Sequence, residues 1–263
     1  MDANTGWFWA RDPDGSPEDR LEGDLDFFDP GLGGAYAGSN NMQPHVTNEV
    51  TQVMYDLNSF SEEIIELREQ PRPLRLFYSE TTAINTDDYM TKGYKLYEEL
   101  FFEGLPLGFV TKNIIEKQNN SAWDTVIVYN NPNVKDDEFN ALQSYLDQGG
   151  TVVLDAKSLQ LNEYGQKREQ QLKASKGKLI ALDAGADIAK IKQVALAEVA
   201  DSMPDVLLKE DNGKAFKTTT WRTVKQPDGS YLVNILNVGH NNPMNSHFEL
   251  KSEGVLLLKV TPK

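Results

Sequence analysis

A chain of 263 residues is long enough to bury a sizeable core, as one large domain or as two or three small ones. Its 39% hydrophobic and 25% charged residues fit a soluble globular protein, and a net charge of −14 repels phosphate backbones and anionic membranes, which argues against nucleic-acid and membrane partners. The lack of cysteine removes disulfides, thiolate metal ligands and thiol nucleophiles together.

No run approaches the roughly 18 apolar residues that span a bilayer. Met1–Arg11 has no basic head followed by an apolar stretch, so no signal peptide is visible. No segment of the sequence assigns a compartment. His45, His240 and His247 have no metal-ligand spacing, and they read as ordinary surface histidines.

The first region runs over residues 1–72. Gly6-Trp7-Phe8-Trp9-Ala10 reads as one buried strand. Residues 1–30 then hold nine acids against Arg11 and Arg20, half of the chain's net charge. Gly31, Gly33, Gly34 and Gly38 extend this stretch as an irregular loop. From about Thr47 a helix is expected, because Val50, Val53, Met54, Leu57, Phe60, Ile64 and Leu67 fall on one stripe, and Pro71 and Pro73 end it. One strand and one helix enclose no core, so this region needs a partner to pack on.

Residues 73–203 alternate strands and helices. Strands are expected at 74–79, 107–111, 125–129, 151–154 and 178–182, and helices at 87–104, 136–148 and 188–199. Thr125-Val126-Ile127-Val128-Tyr129 is apolar throughout, as in a sheet covered on both faces. The pattern predicts an α/β domain with a doubly wound, mainly parallel sheet. Residues 204–263 change period. Short strands at 206–208, 217–224, 231–238, 247–250 and 255–260, with Pro227-Asp228-Gly229 as a hairpin turn, predict a small antiparallel β domain.

These regions, in this order, resemble the C-terminal part of family 42 glycoside hydrolases of the β-galactosidase type and of related agarases. Trp7-Phe8-Trp9 with its long loop is similar to an eighth barrel strand, and Gln43-Pro44-His45 with 50–67 to the last barrel helix. Leu76-Phe77-Tyr78-Ser79, Leu107-Gly108-Phe109-Val110, 125–129 and 145–153 are similar to a flavodoxin-like trimerisation domain, and 231–237 to the central strand of an end domain. The resemblance implies a (β/α)8 barrel with most of its strands outside this chain, including the fourth and seventh, which carry the acid/base and nucleophile carboxylates. No catalytic residue is therefore assigned here, and no cofactor or metal is implied.

Trp7 and Trp9 lie two apart, so both point to one face of a strand, where an indole can cover the C–H face of a sugar. With the resemblance they become the expected substrate contacts, and Arg11 is placed at the same mouth. The expected partners are a carbohydrate substrate, the remainder of a catalytic barrel or another chain, and further copies of this chain. For self-association the aromatic set Tyr94, Tyr97, Phe101, Phe102 and Phe109 is the expected surface, against the alternative that all five are core.

Retaining glycosidases pair two carboxylates, one kept protonated by apolar surroundings. The acids of 12–29 lie in a dense, solvated, polar stretch that supplies no such pocket, and Asp12, Asp14 and Glu18 do not match an EF-hand. The middle region is also similar to class I glutamine amidotransferases, which need a Cys at a sharp turn after a strand. Here Tyr129-Asn130-Asn131-Pro132 occupies that turn, and no phosphate-cradling glycine motif opens a helix. Three functions remain: the non-catalytic C-terminal portion of a carbohydrate-active hydrolase, a stand-alone carbohydrate-binding or assembly protein without a barrel, or a small flavodoxin-like enzyme whose site no motif marks.

Overall fold

The structure is a computed structural model, and it describes residues 44–117, 125–204, 206–209, 213, 219–238, 244–245, 249–250 and 255–260. The chain forms two compact units, Met1–Glu69 and Gln70–Lys263. The strand and acidic loop expected before residue 44 lie outside the described residues.

In the first unit the single helix expected from the apolar stripe is two, α1 (Pro44–Ser59) and α2 (Ser61–Arg68). Phe60 leaves helical geometry at φ −118° and ψ 30°. The Ser59 hydroxyl donates to the Tyr55 carbonyl at 2.8 Å, a local bond that competes with the helical ladder.

The second unit begins with a parallel sheet. Its strands are β1 (Leu74–Phe77), β2 (Leu107–Val110), β3 (Thr125–Val128), β4 (Thr151–Leu154) and β5 (Lys178–Ala181), in the order β2-β1-β3-β4-β5. That order is the flavodoxin-like doubly wound arrangement. Between the strands run α3 (Glu80–Asn85), α4 (Tyr89–Phe101), α5 (Lys112–Lys117), α6 (Asp136–Asp147) and, after β5, α7 (Ile188–Glu198).

Alternate side chains of each strand feed two separate cores. Phe77, Val126, Val128 and Val152 pack with Phe139, Leu142, Tyr145 and Leu146 of α6. Leu74, Leu76, Ile127 and Val153 pack with Leu96 and Leu100 of α4 and Ile191 and Ala195 of α7. The central strand β3 is therefore buried on both faces, which is why Thr125–Val128 reads as a continuous apolar run. Lys192 of α7 pairs with Glu103 at 2.6 Å and Glu99 at 3.6 Å, holding α7 beside α4.

Two helices were not expected from the pattern. α3 and α5 have six residues each, too short to display an apolar stripe. Ser79 caps α3 by accepting from the Thr82 amide at 3.2 Å. α6 ends where Gly149 takes φ +108°, and the Gly150 amide returns to the Tyr145 carbonyl at 3.0 Å.

The link from β4 to β5 contains no helix. Arg168 pins it: its side chain is 5% exposed, pairs with Asp136 at 2.6 Å, donates to the Val134 carbonyl at 2.7 Å, and lies 4.8 Å from the Phe139 ring centroid.

The last part holds a three-stranded antiparallel sheet of β6 (Thr219–Lys225), β7 (Tyr231–Asn237) and β10 (Val255–Val260), in the order β10-β7-β6, and a ribbon of β8 (Met244–Asn245) and β9 (Glu249–Leu250). The hairpin turn stands where the Pro-Asp-Gly signal puts it. The Gln226 amide donates to the Ser230 carbonyl at 2.7 Å, Gly229 takes φ +82°, and Asp228 accepts from the Ser230 amide at 2.9 Å. The strand expected at 206–208 does not form, and Leu208 packs on the Trp221, Val233 and Ile235 cluster.

Candidate functional site

Trp7, Trp9 and Arg11 lie outside the described residues, as do the acids of 12–29, His240 and His247. Among the described residues, no group of three or more His, Cys, Asp or Glu side chains could hold a metal, and no helix is long and apolar enough to cross a membrane.

The turn after β3 places Asn130 in the left-handed region, at φ +51°. Asparagine tolerates this left-handed region better than most residues. The Asn130 amide N–H donates to Asp155 at 3.2 Å and its side chain donates to Asp88 at 3.2 Å. The next residue, Asn131, is fully buried, and its side chain donates to the Tyr129 carbonyl at 2.9 Å. Its amide N–H is held by Ser158 Oγ at 2.9 Å. These amides act as structural ties, and neither is a nucleophile.

Beside this turn a small crevice of about 30 Å³ opens. Its floor is Leu76, Phe77 and Ile127, and its walls include Tyr78, Tyr89, Met90, Gly93, Tyr94 and Tyr129. The Tyr89 phenol is buried: it donates to the Phe77 carbonyl at 3.3 Å and accepts from the Ser79 amide at 3.2 Å. Burial pushes its pKa up to about 12. Burial raises Tyr129 as well. At the adjoining start of α4, Asp88 pairs with Lys92; the bonds from Lys92 and Asn130 hold the Asp88 carboxyl below its usual range.

The aromatic set named from the sequence lies along α4, just after it and on β2; none of the five is fully buried, and Tyr97 and Phe101 pack against the core of Leu96 and Leu100. Tyr94 is 60% and Phe109 45% exposed, while Tyr97, Phe101 and Phe102 are half-buried. The Tyr97 ring stacks on Phe109 at 5.2 Å and on Phe101 at 5.6 Å. The Arg222 guanidinium stands 5.7 Å from the Phe101 ring centroid. Phe109 lies on the edge strand β2, where the stacked Tyr97 ring covers it only in part.

The crevice was not found from sequence. Its one local signal is Gly93 in the middle of a helix, since glycine is a poor helix former and needs a reason to stand there.

No known family's sequence pattern matches the chain, and no curated protein matches it. Solved structures do. An apo GH42 exo-carrageenase from Bacteroides ovatus is 35% identical over 87% of this chain, with a TM-score of 0.75. A catalytic mutant of a GH42 β-galactosidase from G. stearothermophilus is 12% identical over 85% of this chain, with a TM-score of 0.58. A β-galactosidase from Bacillus circulans sp. alkalophilus is 11% identical over 73%, with a TM-score of 0.50. At such identities the two β-galactosidases bear on the fold alone. This chain covers 34% of the carrageenase, 45% of the first β-galactosidase and 42% of the second. In sequence and in fold, the chain resembles the C-terminal portion of a family 42 glycoside hydrolase.

Proposed function

We propose that this chain is the non-catalytic C-terminal portion of a carbohydrate-active glycoside hydrolase, contributing barrel closure, a wall of the substrate cleft and subunit contacts. The observation that carries the reading is the 35% identity to the exo-carrageenase over 87% of this chain but only 34% of that protein. Residues 1–72 serve as the end of a (β/α)8 barrel, 73–203 as a trimerisation-type domain and 204–263 as the small β domain. Trp7 and Trp9 form a sugar platform with Arg11 beside them. The loop after an eighth barrel strand opens on the catalytic mouth, which is where such a platform acts. The acid/base and nucleophile carboxylates belong to earlier barrel strands.

Subunit contacts fall on the exposed aromatic face at the C-terminal half of α4 and on β2. The stacked Phe109, Tyr97 and Phe101 support this, because aromatic residues of this kind enrich interface cores. A stand-alone carbohydrate-binding or assembly protein is the second reading. Its support is that the unit from Gln70 onward closes a two-sided core with its own helices.

The test is hydrolysis of carrageenan oligosaccharides and of aryl β-galactosides. The purified chain is expected to be inactive, and mixing it with a separately expressed barrel portion is expected to restore turnover. Trp9→Ala is expected to slow the restored reaction without lowering the melting temperature. Turnover by the chain alone that disappears on replacing one acid within 12–29 would overturn the proposal.

A further inference from the structure

We propose that Arg222, Arg72 and Tyr97 form a binding site for a small oxyanion, a carboxylate, phosphate or sulfate group from solution, near the end of α4. The first observation is the state of Arg222. It stands half-buried on β6, with its guanidinium 5.7 Å from the Phe101 ring centroid and its Nη1 donating to the Trp221 carbonyl at 2.8 Å. Acids outnumber bases by 40 to 26 in this chain, yet no carboxylate among the described residues acts on this cation. Most of its N–H donors are left without an acceptor.

The second is that its neighbours add donors and positive charge. Burial, and after it the charge of Arg72, hold the Arg222 pKa below its usual value, and the Tyr97 phenol acts on the same group. A guanidinium keeps its proton even so. Arg72 lies exposed just before β1, and its stem runs over Gly108 of β2, where a Cβ would stand 3.2 Å from its Cδ. Glycine weakens a strand, and here it makes room for the arginine. The Arg75 Nε donates to the Arg72 carbonyl at 3.3 Å, which ties the backbone at this point.

The third is where the local acids go. Glu99 and Glu103, at and just after the end of α4, are held by Lys192 of α7. What remains beside Phe101 is a set of donors, two guanidinia and a phenol, whose ring is fixed by stacking on Phe101 and Phe109. Withdrawing a cation from water without a counterion is costly, and the arginine fork matches the paired oxygens of an oxyanion. An acid side chain of a second copy is the poorer occupant. Long-range repulsion scales with the product of the charges, and a copy brings −14 with its carboxylate where a small ion brings only its own charge.

This site needs neither a barrel nor Trp7 and Trp9, so it stands or falls apart from the function proposed above.

The probes are sodium sulfate, sodium phosphate and sodium acetate, titrated against the purified full chain by calorimetry at constant ionic strength. At least one is expected to bind saturably in the millimolar range, and the melting temperature is expected to rise as the site fills. Arg222→Met keeps an apolar stem on Phe101 and removes the fork, and is expected to weaken binding at least roughly ten-fold. Arg72→Met changes an exposed side chain, and is expected to weaken binding while the melting temperature without added anion holds. Tyr97→Phe, which keeps the stacked ring, is expected to weaken it as well. Lys95→Met removes the same charge from an exposed position on α4, and is expected to bind as the parent does. Saturable binding by none of the three anions overturns the inference. So does affinity that survives both arginine changes, or an equal loss in Lys95→Met, which would mark a general field and not a site. A parent that binds no free anion, but whose light-scattering mass falls on Arg222→Met, assigns the arginine to a second copy and overturns it too.

Discussion

Gly104 and Trp221 meet so closely that a Cβ on the glycine would lie 2.2 Å from Cη2 of the indole. Gly104 follows α4 and takes φ +75°, while Trp221 lies on β6 and is 2% exposed. The contact therefore joins the parallel-sheet layer to the antiparallel sheet through a backbone position where only glycine fits. Gly104→Ala is expected to cost about 2–4 kcal/mol, from the left-handed backbone and the displaced ring together. Gly165 shares a positive φ of +73° but has nothing within 4 Å, so Gly165→Ala is expected to cost only about 1 kcal/mol. Urea unfolding of both variants checks the contrast, and equal costs would remove the steric part.

Tyr89 predicts a loss of stability at high pH. Its phenol is raised to about 12 in the folded protein, against a usual value of 10.0. The unfolded chain releases this proton first as pH rises, so the folded state holds more protons between the two values. Stability is thus full below about pH 10 and falls toward pH 12, by about 2–3 kcal/mol from this group. Tyr89→Phe cannot titrate. It is expected to be less stable than the parent at pH 8, having lost the bonds to Phe77 and Ser79, and the gap is expected to narrow at pH 11.5. Denaturant midpoints at the two pH values decide it.

Arg168 predicts how the helix-free link between β4 and β5 is held. Arg168→Ala removes the donor to the Val134 carbonyl and the cation over Phe139, with an expected cost of about 1–3 kcal/mol. Asp136→Asn removes only the ion pair, whose carboxylate is 79% exposed, and is expected to cost less than about 1 kcal/mol. Chymotryptic cleavage after the exposed Tyr164 is expected to accelerate in the first variant and not in the second.

Phe109 predicts the oligomeric state. If the stacked aromatic face of α4 and β2 joins subunits, Phe109→Asp is expected to reduce the particle to a monomer by light scattering at tens of micromolar protein. Because the ring is 45% exposed, the melting temperature of that monomer is expected to change little. A parent chain already monomeric at that concentration counts against the contact.

The strands and long helices of the second unit were legible because each carries a local periodicity. Val126, Ile127 and Val128 announce a two-sided strand, and Pro227-Asp228-Gly229 announces its hairpin without reference to anything distant. α3 and α5 were hidden because six residues make less than two turns and show no repeating stripe. The expected sugar platform of Trp7, Trp9 and Arg11 was legible as a motif and lies outside the described residues. The crevice was not legible, apart from Gly93, because its walls come from β1, α4, β2 and β3, segments spread over some fifty residues of the chain.

By itself the sequence determined the strands and long helices of the parallel-sheet layer and their succession, the absence of cysteine and the lack of a nucleophile after β3. Each of these is a property of residues near one another in the chain. Only the tertiary structure decided that β1 lies between β2 and β3, that Asn130 turns through φ +51° against Asp88 and Asp155, that the space over Gly93 is open, and that Phe109 faces outward from an edge strand. Strand order and exposure are set by which distant surfaces bury one another, and an apolar residue carries the same local signal whether or not a neighbour arrives to cover it.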